Sequence, residues 1–153
     1  MIAVLQRVNS ASVVADGVLS GEISKGLYIL LGVMDTDTDA DASALAEKIS
    51  KLRIFTDEND KMNLSVMDVG AEALVVSNFT LCANYAHGNR PDYFSAAAPA
   101  EASRLYTFFT DELSARIGKC QTGVFGADMK TTMETDGPVT IVMDSKLLKK
   151  SKK

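Results

Sequence analysis

The chain has no tryptophan, one histidine, two cysteines and three prolines among its 153 residues. Each scarcity closes off a class of protein. Cys82 and Cys120 stand far apart with no ligand residues at close spacing, which argues against a disulfide framework or a zinc site. With His87 alone, no paired-histidine metal motif is possible. A serine–histidine hydrolase would have to use His87, yet it lies in a polar, glycine-containing loop where an exposed imidazole is the expected state. No phosphate-binding loop, dinucleotide glycine fingerprint or nucleophile-elbow serine occurs. The longest apolar run, Leu27 to Met34, is too short to cross a bilayer. Met1–Arg7 puts its charge after a short apolar stretch, the reverse of a secretory signal, so a cytoplasmic, membrane-free protein is expected.

What is present is ordinary for a folded domain: 46 % hydrophobic and 24 % charged residues. A chain of this size buries about two-thirds of its unfolded surface and needs no staple. No internal repeat or linker breaks it, so one domain over residues 1–145 is expected, followed by a lysine-rich tail at 146–153. The net charge of −4 argues against broad nucleic-acid binding, but the tail holds five lysines and no acid, leaving −9 on the residues before it. The tail reads either as a solvated end or as an arm that meets phosphates.

Periodicity outlines the elements. Ile2–Val8 reads as a strand, and Ser12–Ala15 and Val18–Ile23 flank Asp16-Gly17, a pair suited to a type I′ hairpin. Leu27–Val33 is continuously apolar, as in a strand buried on both faces. Across Asp39–Arg53 the apolar residues Ala42, Leu45, Ala46, Ile49 and Leu52 fall at helical spacing. Ala73–Val76 is another buried strand, and Asn84–Pro91 is a polar loop. Pro99 opens a second helix, with Leu105, Phe109, Leu113 and Ile117 on one face and Gly118 as its stop. Strands are expected near Lys119–Thr122, Met129–Thr135 and Val139–Asp144. This order predicts an α+β fold, with a largely antiparallel, barrel-like sheet and two main helices.

Three segments stand out as candidates for chemistry. Ser77-Asn78-Phe79-Thr80-Leu81 clusters small polar groups directly after a buried strand, where backbone N–H groups become available to a ligand. Composition alone would make it a hydroxyl-capped turn. Gly123–Met129 carries two glycines that suit a tight bend near another backbone, although a plain loop has the same composition. Asp136-Gly137-Pro138-Val139-Thr140 is locally a turn before a strand.

Met1–Val8, Leu52–Phe55, Lys61–Ser65, Ser77–Leu81, Gly123–Met129 and Gly137–Thr140, taken in order, closely resemble the D-aminoacyl-tRNA deacylases. The resemblance runs from Met1 to about Ser145 and leaves out only the lysine tail. It implies a homodimer with active sites at the subunit interface, aminoacyl-tRNA as substrate, and neither metal nor organic cofactor. It implies that Ser77–Leu81 holds the terminal adenosine, with Asn78, Phe79 and Thr80 at the reacting ester. It places Ser77, Phe125, Ala127 and Met129 against the substrate. It makes Gly137-Pro138 a Gly–cis-Pro element that enters the partner's site and rejects L-amino acids, while glycyl-tRNA, having no side chain to clash, is also cleaved. Thr80 matches a threonine proposed as nucleophile; the alternative gives activation of water to the 2′-hydroxyl of the tRNA. Two positions depart from the family: glutamine is usual where this chain has Asn78, and asparagine where it has Thr135.

The chemistry tolerates the missing base. An aminoacyl ester is already activated, and preorganised N–H donors aimed at its oxyanion contribute about 10²–10³ in rate each. Two other readings remain open from the sequence: an editing deacylase for glycine or a small L-amino acid, and a nucleic-acid-binding module that uses the lysine tail without hydrolysis.

Overall fold

In the computed structural model, which describes residues 1–148, the chain is built around two long strands. β1 runs Ile2–Ala15, followed by β2 (Val18–Ile23), β3 (Gly26–Gly32), α1 (Asp39–Lys51), β4 (Phe55–Thr56) and β5 (Met62–Leu64). Then come β6 (Glu72–Ser77), a short 3₁₀ turn at Phe79–Cys82, α2 (Pro99–Ile117), β7 (Cys120–Thr122) and β8 (Met129–Asp144). The expected strands Ile2–Val8 and Ser12–Ala15 are one continuous strand, and so are Met129–Thr135 and Val139–Asp144.

Asp16 (φ 48°) and Gly17 (φ 80°) both take positive φ, as a type I′ hairpin between β1 and β2 requires. The order in the main sheet is β2-β1-β3-β6-β7, with β8 along the other edge of β1. β1 pairs antiparallel with β2, β3 and β8. However, β3–β6 and β6–β7 are parallel, so the sheet is mixed rather than antiparallel throughout. The physical reason is that each helix lies in a crossover, α1 between β3 and β6 and α2 between β6 and β7. The sheet nearly closes. Ser20 donates its hydroxyl to the Thr122 carbonyl at 3.3 Å, and a Cβ on Gly21 would stand 2.8 Å from Leu74 and 2.9 Å from that same carbonyl. Only glycine lets β2 lie this close over β6 and β7.

Alternation divides the core. Ala3, Leu5, Leu27, Ile29, Leu31, Ala73 and Val75 face the two helices, where Leu45, Ile49, Leu105, Phe109 and Leu113 are fully buried. On the other face Val8, Ala11, Val13, Tyr28, Leu74 and Val76 fill the curled sheet. β3 is thus covered on both sides, which accounts for its unbroken apolar run. Helix α2 stops where expected, at Gly118 in the left-handed region with φ 86°. Helix α1 ends at Lys51, two residues before the expected Arg53. Residues 149–153 of the lysine tail lie outside the described residues.

Candidate active site

The parallel trio β3, β6 and β7 releases its chain at one end, and two of the three candidate segments leave from there. β6 ends at Ser77, opposite Leu31 of β3, and the chain turns at once into the 3₁₀ turn Phe79–Cys82. The turn is held tightly against β3. The Asn78 N–H donates to the Leu31 carbonyl at 2.8 Å, and a Cβ on Gly32 would come within 2.9 Å of Leu81. The Asn78 main-chain donor is therefore committed to the sheet, and what Asn78 offers a ligand is its side chain. That side chain accepts the Thr80 hydroxyl proton at 2.5 Å. The N–H groups of Phe79 and Thr80 open the turn, where no partner exists within it. Phe79 is 60 % exposed and meets Tyr93 edge to face, with ring centroids 5.0 Å apart.

β7 ends beside the same point. The Gly123 N–H donates to the Val75 carbonyl at 3.1 Å, continuing the ladder by one residue before the chain bends away. At Gly123 the close neighbour is a side chain rather than the backbone expected: a Cβ there would stand 2.6 Å from the Met129 sulfur and 3.5 Å from Val76. Gly126 takes φ 78°, and Ala127 closes the turn by donating to the Val124 carbonyl at 3.2 Å. Phe125 tilts over the ring of Tyr106 with centroids 6.1 Å apart. Ser77–Thr80 and Phe125–Met129 thus border one strand end.

Sequence reasoning missed Tyr106. It sits on the buried face of α2 and donates its hydroxyl to the Val75 carbonyl at 2.8 Å, under the point where β6 and β7 diverge. Burial pushes its phenol well up from the ordinary value. It stands next to Leu105 of the helical stripe, and nothing in the local sequence signals this task.

The third segment lies elsewhere. Between the pairs Gln6–Thr140 and Val8–Thr135, residues 136–139 of β8 bulge out opposite Arg7 alone. The Gly137-Pro138 bond at the crest is cis. Arg7, only 8 % exposed, holds the base of the excursion. Its Nε donates to the Asp136 carbonyl at 3.2 Å and lies 3.2 Å from the Asp136 carboxylate, while Nη1 donates to the Ile54 carbonyl at 2.9 Å. Sequence reasoning passed over Arg7 as well; a charge inside the apolar strand Ile2–Val8 was the available signal. Gly137 and Pro138 are exposed, as is Thr135 at the edge of the excursion. The register puts Arg7 beside Leu27 and Ser77 beside Leu31. The excursion is therefore about 13 Å from Ser77 along the strands and about 14 Å across three of them. The structure does not bring Gly137-Pro138 to the Ser77–Thr80 turn of the same chain.

Neither end carries a strong base. His87 is exposed on the loop beyond Asn84. Among the described residues no three His, Cys, Asp or Glu side chains converge as a metal site, and no helix is long and apolar enough to cross a membrane.

A model of the D-Tyr-tRNA(Tyr) deacylase family matches residues 4–144. A D-aminoacyl-tRNA deacylase of Sulfurihydrogenibium sp. (strain YO3AOP1) is 52 % identical over 148 residues, covering 97 % of this chain and all of the relative. That of Ruegeria pomeroyi is 53 % identical over 144 residues, covering 94 % and 99 %. Among solved structures, the c-Myc DNA unwinding element binding protein superposes with a TM-score of 0.88 at 39 % identity, over 94 % of this chain and 98 % of that one. A probable eukaryotic D-amino acid tRNA deacylase shares the fold at a TM-score of 0.81 and 15 % identity, over 93 % and 97 %. With a family match over nearly its whole length and relatives half identical to it, this chain belongs to the D-Tyr-tRNA(Tyr) deacylase family and is a D-aminoacyl-tRNA deacylase.

Proposed function

We propose that the ester of D-aminoacyl-tRNA is cleaved at the turn Ser77–Thr80, by a water activated through the 2′-hydroxyl of the tRNA rather than by an enzyme nucleophile. The observation that carries this reading is the Thr80 hydroxyl, which gives its proton to the amide oxygen of Asn78. A neutral amide accepts a hydrogen bond but does not take the proton away, so Thr80 stays a weak nucleophile. Its lone pairs remain free to orient a donor, and the Phe79 and Thr80 N–H groups face the position of the developing oxyanion. Water attacks the carbonyl carbon, the bond to the ribose 3′-oxygen breaks, and that oxygen takes up a proton relayed by the neighbouring 2′-hydroxyl. The free amino acid and the tRNA leave. Ser77, Phe125, Ala127 and Met129 border the adenosine and the amino-acid side chain, and no metal or organic cofactor enters.

The same reading assigns rejection of L-amino acids to Gly137 and Pro138 of the partner subunit. The excursion stands too far from the site of its own chain, and it is exposed and propped from below by Arg7. A two-fold homodimer would carry it to the other copy's strand end. A preference of ~10⁴ for the D-ester corresponds to about 5.5 kcal/mol in the transition state, which a rigid backbone wedge supplies and a soft pocket does not. Glycine offers no side chain to the wedge, so glycyl-tRNA is cleaved too. The enzyme works in the cytoplasm, where charged tRNA is found.

The test compares D-tyrosyl-, L-tyrosyl- and glycyl-tRNA on the same preparation, with Thr80→Ala alongside. Hydrolysis of the D- and glycyl-esters, resistance of the L-ester, and residual turnover in the variant are expected. Comparable cleavage of the L-ester would sink the wedge, and a trapped acyl-enzyme would restore Thr80 as nucleophile.

A further inference from the structure

We propose that the loop Asn84–Phe94 is a platform for the unpaired nucleotides that precede the ester-bearing end of the tRNA, with Tyr85 and Phe94 stacking on bases and Arg90 meeting a phosphate. The proposal rests on the reading of Ser77–Thr80 as the seat of the terminal nucleotide.

The loop begins just beyond the Phe79–Cys82 turn and is closed at its neck. Asn84 and Asp92 exchange main-chain hydrogen bonds of 2.8 and 3.0 Å, and the Asn84 amide donates to the Asp92 carboxylate at 3.1 Å. The same two side chains accept the Ala86 and Phe94 N–H groups at 3.1 and 3.3 Å. The carboxylate of Asp92 is thereby spent inside the loop, and Gly88, at φ 68°, turns the tip. A neck so fully bonded has no need of aromatic packing. Yet Tyr85 is 82 % exposed and Phe94 is 89 % exposed, one on each flank of the clamp. Arg90, Pro91, Asp92, Tyr93 and Phe94 line a shallow cavity of about 510 Å³.

Position and charge favour an RNA strand over another occupant. The contact between Phe79 and Tyr93 joins the loop to the catalytic turn, so the exposed rings continue from the place where the terminal nucleotide sits. Arg90 has no ion-pair partner among the described residues, although the chain up to residue 145 is strongly acidic. Two exposed rings on one loop, with Arg90 lining the same cavity as Phe94 and Ala86 the only aliphatic side chain between Asn84 and Pro91, match the chemistry of single-stranded nucleic acid. An unpaired base presents a π-face for a ring, and the phosphate between two bases presents a charge for the arginine.

The experiment uses two esters, D-tyrosyl-tRNA and D-tyrosyl-adenosine, which lacks every preceding nucleotide. Tyr85→Ala and Phe94→Ala should each raise KM for the tRNA ester about tenfold with kcat held, and leave cleavage of the nucleoside ester as it was. Arg90→Ala should weaken binding of an uncharged RNA hairpin with an unpaired 3′ end. It should also flatten the slope of log affinity against log salt by about 0.7, the share of one phosphate. Equal losses on both esters, no loss on either, or an altered sedimentation coefficient pointing to a contact between copies would each overturn the platform. Wild-type protein that holds the hairpin through these residues but cleaves neither ester would sustain the platform and overturn the reading of the Ser77–Thr80 turn.

Discussion

The strand end at Ser77 and the excursion at Gly137 make opposite use of the chain that carries them. The first is built from inside. β3 and β7 flank it, the hydroxyl of Tyr106 props it from beneath, and α2 closes the core behind with Leu105, Phe109 and Leu113 fully buried. The second leaves its sheet, exposes its glycine and proline to solvent, and is tied to the domain chiefly through one arginine. A group that must be held to a fraction of an ångström against a reacting ester gains from being part of the core. Of the excursion only Val139 packs against the core; Gly137 and Pro138 at its crest stand in solvent. Perturbing the two regions separately shows whether the division holds.

Phe109→Ala should have the largest effect. It removes a fully buried ring between α2 and the sheet, costing about 3–5 kcal/mol and lowering the unfolding midpoint by roughly 10 °C. Calorimetry checks it, and activity should fall with the folded fraction rather than ahead of it. A midpoint lowered by less than a few degrees would mean that α2 is not what holds the strand end.

Arg7→Met is next. It keeps an apolar stem in a buried position and removes the donors to Asp136 and Ile54, at a cost of about 2 kcal/mol. The ion pair adds little, since Asp136 is 41 % exposed. Loosening the excursion should leave turnover of D-tyrosyl-tRNA nearly intact while its preference over the L-ester falls tenfold or more. A variant that loses stability but keeps its full preference would separate the excursion from selectivity.

What the sequence revealed follows the same division. The apolar run of β3, the two helical stripes with the stop at Gly118, and the Asp16-Gly17 hairpin were legible because each is a local pattern. The two parallel pairings were not, because a crossover through α1 or α2 leaves no local trace of strand direction. Nor was the unity of β8 visible: Asp136-Gly137-Pro138 looks like the end of a strand, and only the register with β1 shows the ladder resuming at Thr140. At the site, the segments Ser77–Leu81 and Gly123–Met129 stood out through their polar groups and glycines. Arg7 and Tyr106, which support the two regions, were hidden by apolar neighbours.

Tyr106→Phe should produce a smaller change. The Val75 carbonyl keeps the Gly123 donor and loses the phenol, so stability should fall by about 1 kcal/mol. Any cost in kcat/KM should stay within about fivefold, the kinetic equivalent of the same energy. A larger kinetic loss at unchanged stability would make Tyr106 a positioning residue for the Phe125–Met129 bend rather than a brace for the fold.

The smallest effect expected near neutrality concerns protons, and it should grow only in alkali. Burial raises the thiol of Cys82, with the nearby Asp37 carboxylate adding to the shift, and burial with Asp111 pushes Cys120 up to about 12. Both thiols are protonated at pH 8 and poor nucleophiles, so iodoacetamide at that pH should leave the native rate unchanged. The linkage runs one way. In the unfolded chain a thiol loses its proton from about pH 8.5, while in the folded protein Cys120 keeps it to about 12. Between those limits the folded state binds more protons, and stability must fall as pH rises. Tyr106 by the packed end, and Tyr28 beneath β8, are raised by burial and act in the same direction. The unfolding midpoint should therefore be insensitive to these groups from pH 6 to 8 and decline above about pH 9. Cys120→Ala should flatten that decline without altering turnover at pH 7.5. Since Cys82 and Tyr106 lie by the packed end and Cys120 opens β7 beside Ala73 of β6, alkaline hydrogen exchange should open β6 and β7 before the β1–β8 ladder. If the β1–β8 ladder opened first, the packed end would not be the region that burial makes sensitive to alkali.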